Sequence, residues 1–496
     1  MRDEEIKKLL QIGVLLSSER DLDRLLEQIL ECVMELTRCD AGTLYLLEDD
    51  KLWFRIMRNN TLKTYSGANG EIPALPPVAL SRESVCALAV LDNKTIRIED
   101  VRHCQEYDLT GPIRYDAITG YNTVSMLVVP MRSRTGETIG VLQLINAMDE
   151  TGSICPFTED MALILESLAS QAAITIQNVR YIKEIQELFQ SFVRVMSSAI
   201  DQRTPYNANH SRRMAECCGR FLDFLNARAE EAGQEPPFSA QHREELVMSV
   251  WLHDVGKVVT PLEVMDKAKR LSPLQEARLQ NRILDVWLTK RIDCLEGRIT
   301  QEELEAVRRE TGEAAEHIAR INGAGFLPDE ELAWLEELRG RTYTDQGQER
   351  PWITDEEYAM LSIRKGTLSP EERKIMEDHV VVTDTLLSQI HFSKELSHVR
   401  EWAAAHHELL DGSGYPCRRR GEDIPQEVRI ITILDIFDAL VADDRPYKPG
   451  MPVPRALSIL ETMADKEGKL DPALTRLFVQ SRCWETGETG RPEQKD

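Results

Sequence analysis

The sequence predicts an α+β domain, then one long helix, then an all-α domain that carries a helical insertion. In the first third, runs rich in Val, Ile, Leu and aromatic residues alternate with Gly, Asn, Asp and Pro, as strands and turns do. Residues 159 to about 201 contain no Pro or Gly, which favours one uninterrupted helix. In the remainder of the chain, apolar residues recur mostly every three or four positions, as they do in helices. The boundaries that we predict are 1–158, 159–200, 201–480 with an insertion at about 272–360, and a tail at 481–496.

Length and charge narrow the classes of function. The 496 residues suffice for two or three domains. The net charge of −24 makes the chain a poor binder of DNA or RNA, because phosphate contacts depend on Lys and Arg. No apolar run reaches about 18 residues, so we expect no membrane span, and the N-terminus does not read as a signal peptide. Ten scattered cysteines without a CxxC pair indicate reduced thiols in the cytoplasm rather than disulfides or a cysteine zinc site.

The first third begins with two predicted helices, residues 3–17 and 21–37. The second carries one apolar stripe, and Asp21 is its expected N-cap. Five strand-like runs and a further helix from about Thr158 follow. The five runs are AGTLYLLED, KLWFRIMR, NKTIRIED, VSMLVVPMRS and TIGVLQLIN.

This order of helices and strands resembles the GAF domain over residues 1 to about 180. The resemblance implies an antiparallel sheet flanked by helices that binds a small molecule or serves dimerisation. Members that bind cyclic nucleotides are matched at Asn146, Phe157 and Asp160, but Ala147 stands where those members have lysine. The ligand therefore stays open between an unknown small molecule and no ligand at all.

The connecting helix has a seam of apolar residues in steps of three or four, from Met161 to Met196. Such a seam favours pairing with a second copy in a homodimer. The alternative is packing against the chain's own two domains. A helix of this length would connect a sensory domain mechanically to whatever follows it.

Five histidines in the second half stand in distinctive contexts. His253 and Asp254 close the apolar helix VMSVWLHD, where a buried imidazole and carboxylate need a partner. His406 and His407 open HHELLDGSGYP, which read alone is a helix end before a turn. Asp435 and Asp438 are three residues apart on one helix face. Together with His210 and His379, these residue types are the natural ligands of a metal ion.

The series resembles the HD-GYP phosphodiesterases over residues 195 to 465. HDVGK, HHELLDGSGYP and DIFDAL followed by RPYK carry the resemblance. It implies two divalent transition metal ions, iron or manganese first, with zinc or nickel compatible. A third ion is not expected, because Tyr206 stands where some members have a glutamate. The implied ligands of one ion are His210, His253, Asp254 and Asp435, and Asp254 bridges to a second ion held by His379, His406 and His407.

The implied reaction is hydrolysis of cyclic di-GMP to linear pGpG or GMP, regulated by the GAF domain. Asp254 and Lys257 are the expected catalytic residues, with the Lys257 ammonium acting on the phosphate. The alternative for Lys257 is a surface lysine placed favourably after a helix C-terminus. Asp438 either orients a ligand or contacts guanine, and Glu408 and Asp411 support the ligands. The residues expected to bind substrate are Lys257, Tyr415, Asp438, Arg445 and Lys448.

Three departures from the family pattern keep other functions open. Leu409 replaces an arginine, the segment from Asp435 to Arg445 is one residue longer, and the insertion separates HDVGK from the helix of His379. The insertion reads as amphipathic helices broken at Gly323-Ala324-Gly325 and Pro328, and His317 within it as a surface residue. The alternatives are a phosphodiesterase for cyclic GMP-AMP and an inactive module that binds a nucleotide or a partner.

Overall fold

The computed structural model describes residues 21–67, 76–203, 209–442 and 450–485. It divides the chain into two compact units, Met1–Phe189 and Gln190–Asp496. The predicted helix at 3–17 lies outside the described residues. Among the described residues, we find no helix with the length and hydropathy that crossing a membrane requires.

The first unit is built on one antiparallel sheet with the strand order β3-β2-β1-β7-β6-β5, in which β4 pairs with β2 and β8 with β7. The five predicted strands are present as β1, β2, β5, β6 and β7, since their apolar runs supply buried side chains. The strands are β1 Cys39–Glu48, β2 Lys51–Asn59, β3 Thr64–Ser66, β4 Val78–Ala79, β5 Ile96–Ile98, β6 Met126–Arg132, β7 Thr138–Met148 and β8 Ile154–Cys155.

Helices cover both faces of this sheet. Helix α1, Leu22–Thr37, packs against one face with the start of α4, Glu159–Asp201. The Asp21 carboxylate accepts a hydrogen bond from the Arg24 amide, which confirms the predicted N-cap. Helix α2, Val85–Leu91, packs on the other face, and α3 spans Thr110–Thr119. Neither α2 nor α3 was expected from the sequence. The α+β prediction is confirmed.

The second unit is helical around one large apolar core. That core joins the helices of the histidine motifs with the C-terminal helices. It also takes in Cys483 and Trp484, so the start of the predicted tail packs as part of the domain. The helices are α5 His210–Glu231, α6 Ala240–Leu252, α7 Leu262–Met265, α12 Pro370–Glu377, α13 His379–Leu387, α14 Val399–Ala404, α15 Gln426–Val441, α16 Val453–Asp465 and α17 Pro472–Ser481, with 3-10 turns at Val255–Val259, Lys394–Leu396 and Gly421–Asp423.

The insertion has an apolar core of its own, from Leu271 to Leu361. The fully buried Arg270 closes its base by donating to the carbonyls of Ile321, Ala324 and Ile363. The predicted helices are present, but the insertion is not wholly helical, because β9 and β10 form a hairpin. Its elements are α8 Pro273–Leu295, α9 Gln301–Gly323, α10 Asp329–Arg339, β9 Thr342–Asp345, β10 Gln348–Pro351 and α11 Asp355–Leu361.

Candidate metal centre

The predicted ligands come together as two groups of side chains in the second unit. The potential ligand atoms within each group lie within 4.8 Å of one another. Every one of these side chains except His407 is buried. The first group is His210, His253 and Asp254, and the second group is His379, His406 and His407.

Helix ends place the histidines. His253 caps the C-terminus of α6, and His210 and His379 open α5 and α13. Three of the rings share one fixed orientation, in which Nδ1 lies against the carbonyl oxygen three residues earlier: His253 to Val250 at 2.7 Å, His379 to Met376 at 2.6 Å and His406 to Ala403 at 2.7 Å. Because Nδ1–H must donate to that carbonyl, Nε2 is the nitrogen that faces the group, and in the neutral ring it offers its lone pair there.

Asp254 lies between the two groups. Its Oδ2 atom is 3.3 Å from His253 Nε2 and 3.7 Å from His210 Nε2. Its Oδ1 atom is 3.3 Å from His379 Nε2 and 3.8 Å from His406 Nε2. One carboxylate thus presents one oxygen to each group, which is the arrangement of a bridging ligand.

Asp435 also faces both groups. Its Oδ1 atom is 3.5 Å from His210 Nε2 and its Oδ2 atom is 3.6 Å from His407 Nδ1. From the sequence, Asp435 was assigned only to the ion of His210, His253 and Asp254. Its second oxygen was missed because that contact depends on how α15 packs beside the His406-His407 turn.

These residues fit divalent cations. His210 Nε2 and His253 Nε2 are 3.2 Å apart, and His379 Nε2 and His406 Nε2 are 3.4 Å apart. Two nitrogens bound to one ion at about 2.0–2.1 Å lie about 3 Å apart, which matches the spacing of both pairs. The buried Asp254 Oδ1 has no hydrogen-bond partner within the described part of the chain, as expected of an atom reserved for a metal.

Asp438 orients His210. Its Oδ2 accepts from His210 Nδ1 at 2.6 Å, and Arg213 donates to its Oδ1 at 2.9 Å and its Oδ2 at 3.0 Å. These bonds outweigh the cost of burial and lower the pKa of Asp438 to about 2. Of the two predicted roles, ligand orientation fits this geometry. The guanine contact does not fit, because both oxygens are engaged and the carboxylate is buried.

Backbone contacts shape the turn after His407. Both oxygens of the buried Glu408 accept backbone N–H groups, from Cys417 at 2.7 Å and Arg419 at 2.9 Å. Asp411 accepts from the amide and hydroxyl of Ser413. A Cβ on Gly414 would lie 2.5 Å from the His407 carbonyl oxygen, so this position requires glycine. Glu408 and Asp411 therefore fold the turn.

The same turn brings Tyr415 to the second group. The Tyr415 ring lies 4.7 Å from the His407 ring, centroid to centroid. Burial, together with the charges of Asp435 and Asp254, raises the pKa of Tyr415, so its hydroxyl keeps its proton. Leu409, the departure from the family pattern, packs against the apolar core.

The HDVGK turn is held against α13. Thr383 joins them, since its hydroxyl accepts from the Gly256 amide at 2.9 Å and donates to the His253 carbonyl at 3.1 Å. The Lys257 ammonium lies 2.5 Å from Asp254 Oδ2, at the edge of the first group rather than on the open surface. Thr383 was missed, although its spacing of four from His379 puts both on one helix face.

The end of α4 and the turn that follows it contact both segments that carry the first group. Asp201 accepts from the amide and hydroxyl of Ser211, which follows His210, at 3.0 and 3.1 Å. The Arg203 guanidinium donates to the carbonyls of Lys257 and Thr260. Neither Asp201 nor Arg203 was predicted from the sequence to support the site.

Four of the residues discussed from the sequence either lie outside the described residues or lie away from the metal centre. Arg445, Lys448 and Tyr206 lie outside the described residues. His317 is not at the metal centre, since its ring stacks on Trp334 at 3.8 Å and pairs with Glu331.

Two family models match this chain. Residues 19–177 match the GAF domain and residues 356–474 match the HD domain. The chain carries a GAF domain and an HD domain. The HD match contains the second group and Asp435, whereas the first group precedes it in sequence, on the other side of the insertion.

The relatives are matched over limited lengths. The 3'3'-cGAMP-specific phosphodiesterase 3 of Vibrio cholerae is 42% identical over 98 residues, 20% of this chain and 20% of the relative. A cyclic di-GMP phosphodiesterase of Thermotoga maritima is 31% identical over 165 residues, 30% of this chain and 43% of the relative. The chain therefore spans less than half the length of either. The GAF domain of an Acinetobacter phosphoenolpyruvate-protein phosphotransferase is a similar solved structure, 18% identical with a TM-score of 0.28, over 37% of this chain and 98% of that chain.

The GAF domain encloses a cavity of about 320 Å³, lined among others by Tyr45, Phe54 and Gln143. The residues that resemble cyclic-nucleotide-binding members do not line it. Asn146 instead holds the preceding loop, because its side chain accepts from the Val124 and Ser125 amides and donates to Asn122. Phe157 lies in the apolar core. The Asn146 and Phe157 match therefore concerns the architecture of the GAF domain and gives no support to a nucleotide ligand.

We expect metal uptake by the HD domain to release protons. Burial would lower the pKa of His253, but the charges of Asp254 and Asp435 outweigh it and raise the pKa to about 9. Burial lowers the pKa of His407 to about 4, so that ring is already neutral at pH 7. A metal binds neutral imidazole. Binding at pH 7 should therefore release about one proton, and affinity should rise about tenfold per pH unit up to about pH 9.

The measurement is calorimetry of Mn²⁺ binding to metal-free protein in two buffers of different ionisation enthalpy. An identical heat in both buffers at pH 7 would contradict the assignment of that proton to the site.

Proposed function

We propose that the chain is a metal-dependent phosphodiesterase that hydrolyses cyclic di-GMP to linear pGpG, GMP or both. The observation that carries the proposal is the pair of histidine groups with Asp254 between them. Two cations held about 3.5–4 Å apart supply the positive charge that hydrolysis of an anionic phosphodiester needs.

The names of the relatives support the substrate class. Both a cyclic di-GMP phosphodiesterase and a 3'3'-cGAMP-specific phosphodiesterase match this chain. The match to the 3'3'-cGAMP-specific phosphodiesterase makes cyclic GMP-AMP the second candidate, and the departure at Leu409 keeps it open. An inactive module is disfavoured, because every proposed ligand is present and oriented toward the site.

The proposed ligands are those predicted from the sequence, with one addition. His210 and His253 would hold one ion, and the second group would hold the other. Asp254 would bridge the two ions, and Asp435 would contribute an oxygen to each. The donors are nitrogen and oxygen without thiolate, which suits iron or manganese.

Lys257, Tyr415 and Asp438 would orient the substrate or hold a proposed ligand in place. The Lys257 ammonium compensates the Asp254 carboxylate and lies where a phosphate oxygen would approach. Since Asp254 and Asp435 raise the pKa of Lys257 against the effect of burial, the group stays cationic. The protonated Tyr415 hydroxyl is available as a hydrogen-bond donor to substrate. Asp438 holds the His210 ring, so that Nε2 faces His253 and Asp254, where it would bind an ion.

The proposal is tested by incubating purified, metal-analysed protein with cyclic di-GMP and with cyclic GMP-AMP, and resolving the products by chromatography. We expect linear dinucleotide or mononucleotide from cyclic di-GMP, and loss of turnover after chelation that added Mn²⁺ or Fe²⁺ restores. Exclusive turnover of cyclic GMP-AMP would select the second candidate. Protein with two bound metals that turns over neither substrate would contradict both.

We also propose that α4 pairs with a second copy of the chain. Its outward face carries an apolar stripe, each member more than half exposed: Ile182, Ile185, Leu188, Phe192 and Val195. The steps of three and four are those of a coiled-coil seam. Contiguous apolar exposure of this kind marks an interaction surface.

If the apolar stripe forms the dimer interface, one charged side chain placed in it should prevent dimerisation. Leu188→Glu should convert the dimer to a monomer, measured as a halved mass by light scattering after gel filtration. Lys183→Glu places the same side chain on the other side of the helix and should leave the dimer intact. A wild-type chain that is monomeric at micromolar concentration would contradict the proposal.

Regulation by the GAF domain is supported by the contacts at the end of α4. Asp201 and Arg203 connect that helix with the segments of His210 and Lys257, so a shift of the helix would reach the first group. The GAF cavity is the proposed site of a small-molecule signal. A chain that lacks residues 1–158 should therefore differ from the full chain in turnover number by severalfold. Equal rates would leave the GAF domain without a regulatory role.

A further inference from the structure

Cys217 and Cys483 form a pair of buried thiols that the proposed function does not use. Cys217 lies in α5 and Cys483 follows α17, yet their sulfur atoms are 3.0 Å apart. Both side chains are buried. A disulfide bond measures about 2.05 Å, so the two sulfurs would have to approach by about 1 Å.

The surrounding contacts hold Cys483 in place. Arg220 donates to its carbonyl oxygen at 2.6 Å, and its own amide donates to the Ser481 hydroxyl at 3.3 Å. The next residue, Trp484, packs against Phe437 and Phe478 with ring centroids 5.2 Å apart in each case. The two thiols are therefore held together by the packing of α5 against the segment after α17.

A cavity borders the Cys217 side of this pair. A cavity of about 230 Å³ is lined by Cys217, Arg220, Phe437 and Trp484, among others. One water occupies about 30 Å³ of liquid, so the cavity has room for a peroxide. The Cys217 thiol hydrogen-bonds to Cys483 and lowers the pKa of Cys483, which favours a thiolate, the form of cysteine that attacks a peroxide.

We propose that Cys217 and Cys483 are a reversible oxidation site that a peroxide converts to a disulfide. The sulfur of one of the two cysteines attacks one peroxide oxygen and becomes a sulfenic acid, and the other oxygen leaves as water with one thiol proton. The sulfur of the second cysteine then displaces the sulfenic hydroxyl, which leaves as water with the second thiol proton. Two thiols and one hydrogen peroxide thus give one disulfide and two waters.

The disulfide would join two parts of the second unit that carry or support the proposed metal ligands. Cys217 lies on the helix that begins with His210. Trp484 packs on Phe437, which lies between Asp435 and Asp438 on α15. The proposal concerns the thiols alone and stands whether or not the chain is a phosphodiesterase.

The test is peptide mapping of the full chain without reduction, after treatment with hydrogen peroxide and alkylation of free thiols. We expect a linked peptide of Cys217 and Cys483, two fewer free thiols than the ten in the chain, and reversal by dithiothreitol. Oxidation should also raise the thermal unfolding midpoint by several degrees, and the shift should vanish on reduction.

A matched pair of variants separates this site from general oxidation. Cys217→Ser should abolish the linked peptide, whereas Cys218→Ser, at the adjacent buried cysteine, should retain it. Peroxide-treated wild-type chain in which both Cys217 and Cys483 are still alkylated would overturn the proposal. A link from either residue to a different cysteine would overturn it as well.

Discussion

Replacing Asp254 by asparagine is expected to lower turnover by at least about 10³-fold and to leave fewer than two metal ions per chain. The substitution keeps the shape of the side chain and removes its charge. Asp254 is the residue with one oxygen toward each histidine group, so both proposed ions would lose an anionic ligand. A thousandfold loss corresponds to about 4 kcal/mol of transition-state stabilisation, within what a metal supplies to a developing charge.

The measurement is turnover of the substrate identified above, with metal content determined by mass spectrometry on the same sample. Asp223→Asn is the matched control, because Asp223 is an exposed carboxylate paired with Arg243 away from both groups. Circular dichroism would show that each variant is folded. A folded Asp254→Asn chain with wild-type metal content and wild-type turnover would contradict the bridging assignment.

Whether a site residue could be predicted from the sequence depends on how far apart in the chain the residue and its contact partner lie. His406, His407 and the HDVGK residues could be proposed as site residues from the sequence. Each set is contiguous in the chain and contains residue types that bind metal. Asp438 was found, but its role was left open, since its partner Arg213 comes from a distant helix. Thr383 and Arg203 act through backbone carbonyls and amides, and a residue type alone does not reveal such contacts.

In the fold, too, the elements marked by a local sequence pattern could be predicted, and those that depend on long-range packing could not. Strands such as β1 and β7 were predictable because buried apolar runs of about ten residues mark them. The hairpin of β9 and β10 was not, because its residues are mostly exposed and polar. The pairing of Cys217 with Cys483 joins residues far apart in sequence and follows only from the packing of α5 beside the segment after α17.

The second large effect is expected at Gly256, where a single methyl group should disrupt the metal centre. A Cβ at this position would overlap the His379 carbonyl oxygen and lie 2.6 Å from the Thr383 amide nitrogen. Both are backbone atoms of the helix that carries a ligand, so no side-chain rotation relieves the clash. We expect Gly256→Ala to lower the free energy of unfolding by about 3 kcal/mol or more and to reduce metal content by displacing His379 from Asp254.

Gly312→Ala is the matched control. Gly312 lies within α9 of the insertion, and nothing within 4 Å would meet its Cβ. Alanine is the better helix former, so this variant should gain about 0.5–1 kcal/mol. Urea unfolding of both variants and metal analysis of the folded proteins measure the contrast. If Gly256→Ala matched the wild type in stability and metal content, the HDVGK turn would not hold His379 against Asp254 as the structure indicates. The glycine of the motif acts by letting two backbones approach closely enough for one carboxylate to face two metal positions.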